Sequence, residues 1–313
     1  MNDIESRRTA EAGNSGDGGD HPRICDYEGT DYRTRFWENK GRDYEDRVER
    51  IALRQLLPRQ GGSRFLEIGA GFGRLTNELS AFQQVVLLDY SYSQMADAQS
   101  RLGRSDRYVY VAADMYKMPF KPGVFDGVSV IRVLHHIADV PLALHEVRRV
   151  MAPNSTFILE YASKRNLKAI VRWLLKRQSW SPFALEPVEF VELNFDFHPE
   201  YIHRELNAAG FSTAKRLPVS YFRMGALKRL IPVGILAGLD RLMQATGLLY
   251  SPSVFTRNLT NGDTPDQRRL AEIFACPECG GDLVLEGETV VCHHDHLRWA
   301  IRDGIYDFKA PIE

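Results

Sequence analysis

Cysteine is scarce. Four residues in 313 are too few for a disulfide framework. Three of them, Cys276, Cys279 and Cys292, fall in one short stretch, which points to a metal site in a reducing compartment. An excess of one charge is also missing: 40 Lys and Arg face 41 Asp and Glu, a formal net charge of -1. That balance argues against a chain built wholly around nucleic-acid binding, though it can conceal a basic face. Long apolar runs are absent as well. The longest, Leu230 to Leu239, is interrupted by Pro232, whereas a bilayer-spanning helix needs about 20 apolar residues. The N-terminus has no apolar signal region, and residues 1–30, rich in Gly, Asp, Ser and Asn, are expected to be a disordered tail. The expectation is a cytoplasmic protein with no transmembrane segment.

What is present is a 44% hydrophobic content, enough for one sizeable domain and a small one. DYEDRVERIALRQLLP places Val48, Ile51, Ala52 and Leu56 at helical spacing, with Pro58 as a stop. SRFLEIG, QVVLLDY, RYVYVAAD, FDGVSVIRV and STFILEYA then read as buried strands alternating with helical segments. That pattern predicts an α/β fold, a Rossmann-like doubly wound and mostly parallel sheet with helices on both faces. The main domain is expected over residues 31–224, with a basic insertion at about 161–195. An apolar helical segment and linker follow at 225–265, and a small metal-binding domain at 266–313.

FLEIGAGFG sets Glu67 near a strand end and follows it with Gly69, Ala70, Gly71 and Gly73, allowing a sharp turn beneath a flat ligand. The dinucleotide fingerprint would require a sixth-position glycine where Arg74 stands, which weakens a nicotinamide reading. Asp89 ends the next strand, where a carboxylate accepts hydrogen bonds from ribose hydroxyls. Asp114 ends a third, where its side chain or the Met115 backbone would meet an adenine edge.

With these motifs in place, residues from about 40 to 224 resemble a class I S-adenosylmethionine-dependent methyltransferase of the type 11 family. LEIGAGFG, LLDYS, AADMYKMPF and FDGVSVIRVLHHI resemble its first four strand motifs. The resemblance implies that Glu67, Gly69, Gly71 and Gly73, with Ala70, surround the methionine portion of S-adenosyl-L-methionine. It further implies that Asp89 binds ribose, Asp114 and Met115 meet adenine, Tyr90 and Met95 line the adenosine pocket, and Arg132 sits beside the methyl donor.

CPECGGDLVLEGETVVCHHDH has a CxxC knuckle and a third cysteine, a geometry suited to tetrahedral zinc. The position of a fourth cysteine is taken by Asp295, so Cys276, Cys279 and Cys292 are expected to bind zinc with Asp295 or a neighbouring histidine. Residues 272–310, with LRWAIRDGIYDFKAP, resemble the small zinc-ribbon proteins that partner and activate tRNA, rRNA and protein methyltransferases. A structural zinc is favoured over a catalytic one, because a fully ligated metal leaves no open position.

His135 and His136 follow the fourth strand, where a base for a hydroxyl acceptor would stand; packing or capping the next helix is the commoner use of such a pair. Residues 161–185 carry six basic side chains and no acidic one, and Ser212 to Asn261 carry seven against Asp240 alone. Such faces suit an anionic partner or simply solvent. RNA would be one acceptor. A small-molecule or lipid-linked acceptor, with peripheral membrane contact, is favoured by the mixed apolar and basic residues from Phe222 to Tyr250. The alternative is a non-catalytic cofactor-binding or scaffolding subunit, against which the intact Asp89 and glycines argue.

Overall fold

The structure, a computed structural model, describes residues 22–29, 41–262 and 264–312. Most of the expected tail lies outside these. Helix α1 (Asp43–Leu56) leads into β1 (Gly62–Ile68), β2 (Phe82–Asp89), α2 (Tyr92–Leu102), β3 (Tyr108–Ala112) and β4 (Phe125–Val130). Helix α3 (Val140–Val150) and β5 (Met151–Ala162) follow, then α4 (Leu167–Leu174) and the hairpin β6 (Val188–Val191) and β7 (Asn194–Asp196). Beyond these come α5 (Pro199–Ala208), β8 (Phe211–Val219), α6 (Gly225–Leu230), α7 (Val233–Thr246) and β9 (Ser253–Thr260). The C-terminal strands are β10 (Val284–Glu286), β11 (Thr289–Cys292), β12 (Leu297–Arg302) and β13 (Ile305–Ile312).

Strands β1 to β5 are parallel, ordered β3-β2-β1-β4-β5, and β9 inserts antiparallel between β5 and β8. Strand alternation sorts the core. Leu66, Ile68, Val86 and Leu88 pack with Leu144 and Val147 of α3 and Ile202 and Leu206 of α5, while Phe65, Val85 and Leu87 pack with Met95 and Ala98 of α2. Helix α2 starts where the Ser91 hydroxyl accepts from Gln94 N and stops at Gly103, φ +83°.

The sequence reading changes in two places. Residues 253–260, expected within a helical segment and linker, form β9, paired along its length with β5 and β8. Val254 and Phe255 are fully buried there, and so short a β-rich run carries no signal separating it from the apolar residues before it. The second change concerns the tail: residues 22–29 lie against the domain, as described below. The basic insertion holds α4 and the β6–β7 hairpin, and α4 exposes Leu167, Val171 and Leu174. Among the described residues no helix is long and apolar enough to cross a membrane.

The small domain continues the main sheet. β13 pairs parallel to β3, Ile305 opposite Tyr110, so β10 to β13 extend one eleven-stranded sheet. The segment before it is fixed to the loop after β3 by Gln267 N to Gly123 O at 2.9 Å, Lys121 N to Ile273 O at 2.8 Å and Ala275 N to Pro119 O at 3.1 Å. A Cβ on Gly123, φ +67°, would lie 1.7 Å from the Pro265 oxygen. Buried Trp299 and Phe308, ring centroids 5.6 Å apart, belong to the same hydrophobic cluster as Leu66 and Val86 of the central strands.

Candidate active site

The carboxyl ends of β1 to β4 open on a cleft lined by Gly69, Gly71, Asp89, Tyr90, Asp114, Met115, Tyr116, Arg132 and His136, among others. Ligands in open α/β sheets bind at such strand ends. A smaller adjoining recess takes Glu67, Gly69, Ala70, Gly71, Arg74 and Arg132. Of the sequence-predicted residues, Glu67, Gly69, Ala70, Gly71, Asp89, Tyr90, Asp114, Met115, Arg132 and His136 therefore come together. Three do not line the space: His135, whose ring packs against His136 with centroids 4.0 Å apart, Met95 and Gly73. Met95 is fully buried beneath α2 with Phe65, Ala70 and Tyr110, because its place in the first helical turn aims it at the sheet. Gly73, φ +71°, serves the turn itself, since a Cβ there would lie 2.8 Å from Leu102 Cδ1.

The first turn needs its glycines. Gly69 has φ +65°, and a Cβ would lie 2.0 Å from Val133 Cγ2. Asp89 locks this turn to the next: its Oδ2 accepts from Gly71 N at 2.9 Å and its Oδ1 from Ser91 N at 3.0 Å. Burial raises the Asp89 carboxyl, and those two N–H groups oppose the rise. Asp114 Oδ1 accepts from Tyr116 N at 2.8 Å, holding its own turn. Burial pushes Glu67 up to about 7, against the Thr76 hydroxyl, which donates to it at 2.6 Å.

Arg132 adopts φ +65°, a conformation uncommon outside glycine. Glu160 Oε2 fixes it by accepting its N–H at 2.9 Å, and its Nε donates to Glu49 Oε1 at 2.8 Å. Glu49 is fully buried and also accepts from Arg74 at 2.6 Å. Burial alone would raise it, but Arg132 and Arg74 bring it down to about 2.

Burial, together with neighbouring His136, Arg132 and Arg223, holds His135 well below the ordinary histidine range. Burial lowers His136 too, against the Leu193 carbonyl. Tyr44 lies away from the cleft, its hydroxyl donating to Asp240 at 2.6 Å inside the α1–α7 core.

Sequence reasoning missed the strap of residues 22–29. Arg23, Ile24, Cys25 and Tyr27 line the cleft. The strap is tied by the Tyr27 hydroxyl to His136 Nε2 at 3.0 Å and by Glu28, which accepts from Tyr92 N at 2.7 Å and Ser93 N at 3.1 Å. Lys309, from β13, reaches Glu28 at 3.0 Å and lies 5.7 Å from the centre of the Tyr90 ring. Ile24 and Tyr27, two apolar bodies within a polar run, were the available signal.

A second cluster lies in the small domain. One ligand atom from each of Cys276, Cys279, Cys292 and Asp295 falls within 4.8 Å of every other. Cys276 Sγ is 3.2 Å from Asp295 Oδ2, and Cys279 Sγ 3.6 Å from Cys292 Sγ. Thiolates ~2.3 Å from a tetrahedral zinc stand ~3.8 Å apart, so this donor set fits the metal. Asp295 joins the three thiols, while His294 Nδ1 stands outside them, 2.8 Å from Asp295 Oδ1.

A family model for the methyltransferase domain matches residues 66–159, from β1 to β5. The chain is 33% identical over 109 residues to a malonyl-[acyl-carrier protein] O-methyltransferase of Legionella pneumophila, covering 34% of this chain and 37% of that protein. It is 29% identical over 184 residues to a demethylmenaquinone methyltransferase of Clavibacter sepedonicus, covering 54% and 74%. Against most such relatives it spans no more than 52% of their length. Its fold resembles a chain from the complex between the Haloferax volcanii Trm112 methyltransferase activator and a methyltransferase, at 15% identity and TM-score 0.52, covering 74% of this chain and 98% of that one. Sheet order, cleft and matched segment agree: residues 66–159 form a methyltransferase domain of the type 11 family.

Proposed function

We propose that this chain transfers the methyl group of S-adenosyl-L-methionine to a small-molecule or lipid-linked acceptor. One observation carries the reading: the Gly69–Gly71 turn, the Asp89 carboxylate and the Asp114 turn converge on one cleft from three adjacent strand ends. These residues fit the cofactor. The turn presents no Cβ at Gly69 or Gly71, and each Asp89 oxygen holds one backbone N–H, with lone pairs remaining for two ribose hydroxyls. Glu67, in the adjoining recess, suits the ammonium of the methionine portion.

Bound there, the cofactor supplies a methyl group already activated by its sulfonium, so the protein's contribution is alignment and exclusion of water. The strap closes the adenosine side through Tyr27 and Glu28. Arg132, held by Glu49 and Glu160, forms a rigid wall. His136, kept neutral and lining the cleft, is suited to take a proton from a hydroxyl acceptor at Nε2 once the Tyr27 hydroxyl releases that nitrogen.

Two features favour a small or lipid-linked acceptor over RNA. The relatives' names describe methylation of a malonyl carrier and of a demethylmenaquinone. In addition, α4, α6 and α7 expose Leu174, Leu230, Ile235 and Leu242, and the same helices expose Arg172, Arg229 and Arg241. That composition suits peripheral contact with an anionic lipid surface. Zinc, if held by Cys276, Cys279, Cys292 and Asp295, would have a structural part, stapling the segment around the CxxC knuckle to the turn after β11.

The test is transfer of labelled methyl from S-adenosylmethionine into fractionated cell extract, with Asp89→Ala as control. Label in the organic-extractable or small-molecule fraction supports the reading. Label confined to RNA overturns the acceptor class, and label nowhere overturns the activity.

A further inference from the structure

Arg223 lies on the turn between β8 and α6, and one edge of its guanidinium is left without a hydrogen-bond partner. Among the described residues its Nε and Nη2 are both buried and without a hydrogen-bond partner. These two nitrogens form one edge of the guanidinium, and their parallel N–H bonds match the two oxygens of a carboxylate or phosphate.

The carboxylates near enough to act on it are already committed. Glu49 accepts from Arg132 and Arg74, Glu160 from the Arg132 N–H and the Ser253 hydroxyl, and Glu45 from Lys228 at 2.9 Å. Burial, with Arg132 beside it, pulls Arg223 down to about 10, so it is still charged at neutral pH. Leaving two buried N–H donors without acceptors is costly.

The turn that carries it is firmly held. Asp240 accepts from Tyr221 N at 2.9 Å, and the Tyr44 hydroxyl accepts from Phe222 N at 3.0 Å. Ser220, φ +68°, completes the turn. A rigid support beneath unpaired donors is the arrangement of a preorganised binding site. Arg223 also neighbours Arg132 and His135 electrostatically, and Arg132 faces the cofactor cleft.

We propose that the methyl acceptor bears a carboxylate or phosphate group, received side-on by Nε–H and Nη2–H of Arg223. The inference rests on the methyl-transfer reading above and narrows its acceptor to an amphipathic anion.

The experiment passes the acceptor extract over an anion exchanger before labelling, then offers each fraction to wild type, Arg223→Gln and Arg223→Lys. Acceptor capacity is expected in the retained fraction. Transfer from it by Arg223→Gln should show a KM raised on the order of 100-fold, with partial recovery in Arg223→Lys and an unchanged cofactor dissociation constant. Phosphatase treatment that removes the capacity identifies a phosphate, and capacity that survives it identifies a carboxylate. Capacity found only in the unretained fraction, or both variants matching wild type, overturns the assignment while methyl transfer stands. No transfer by wild type from any fraction overturns methyl transfer, and the assignment with it.

Discussion

His136 Nδ1 lies 2.8 Å from the Leu193 carbonyl oxygen. A carbonyl only accepts, so Nδ1 carries the proton, and in the neutral ring Nε2 accepts from the Tyr27 hydroxyl. The histidine is thereby a hinge pin between the β6–β7 hairpin and the strap. Tyr27→Phe removes one part-buried hydrogen bond worth ~1 kcal/mol. Cofactor dissociation should speed up about 5-fold, as read by stopped-flow fluorescence, with the thermal midpoint little changed. An unaltered rate would remove the strap from cofactor retention.

The same histidines set an acid limit. Both His135 and His136 are depressed below 6.5 in the folded protein, so the stability they contribute is present above that value and is lost as pH falls through their folded values. Replacing both by Asn should flatten the decline in urea midpoint below pH 6.5. A decline as steep as in wild type would place the acid sensitivity elsewhere.

Glu67 gives the opposite sign. Its folded value, raised to about 7, means that its contribution to stability is full below the unfolded 4.5 and is lost as pH rises through 7. A cationic cofactor beside it favours the carboxylate, so binding should release a proton at pH 6 and tighten as pH rises towards 7. Calorimetry at pH 6 in two buffers of different ionisation enthalpy reads this directly. Glu67→Gln should abolish the release, and equal apparent enthalpies for wild type would count against the assignment.

The zinc cluster should be coupled to the cofactor cleft, because β13 carries both the pairing to β3 and Lys309, which reaches Glu28. Cys279→Ser is expected to lose metal in atomic absorption and to weaken cofactor binding. His294→Ala, which removes only the outer partner of Asp295, should weaken zinc retention about 10- to 100-fold against a chelator. A Cys279→Ser protein that lacks metal but binds cofactor as wild type does would show the two sites to be independent.

Much of this was legible in the chain. Buried strand runs and the positions of Asp89 and Asp114 lead to the parallel sheet and its cleft because period and turn chemistry are local properties. Met95 was misread because facing the sheet or the ligand depends on how a helix is rotated. β9 was missed because its pairing partners, β5 and β8, are remote in sequence. Arg223 was visible only as one of several basic residues. Its unpaired edge emerges from which carboxylates other arginines have already taken, a property of the assembled structure.

The central claim is tested most directly by titrating S-adenosylhomocysteine into the wild-type protein and into Asp89→Ala by calorimetry. The account predicts one-to-one binding by wild type, weakened on the order of 100-fold in the variant through loss of a charge-assisted pair of hydrogen bonds. Equal affinities, or no binding by wild type, would contradict it.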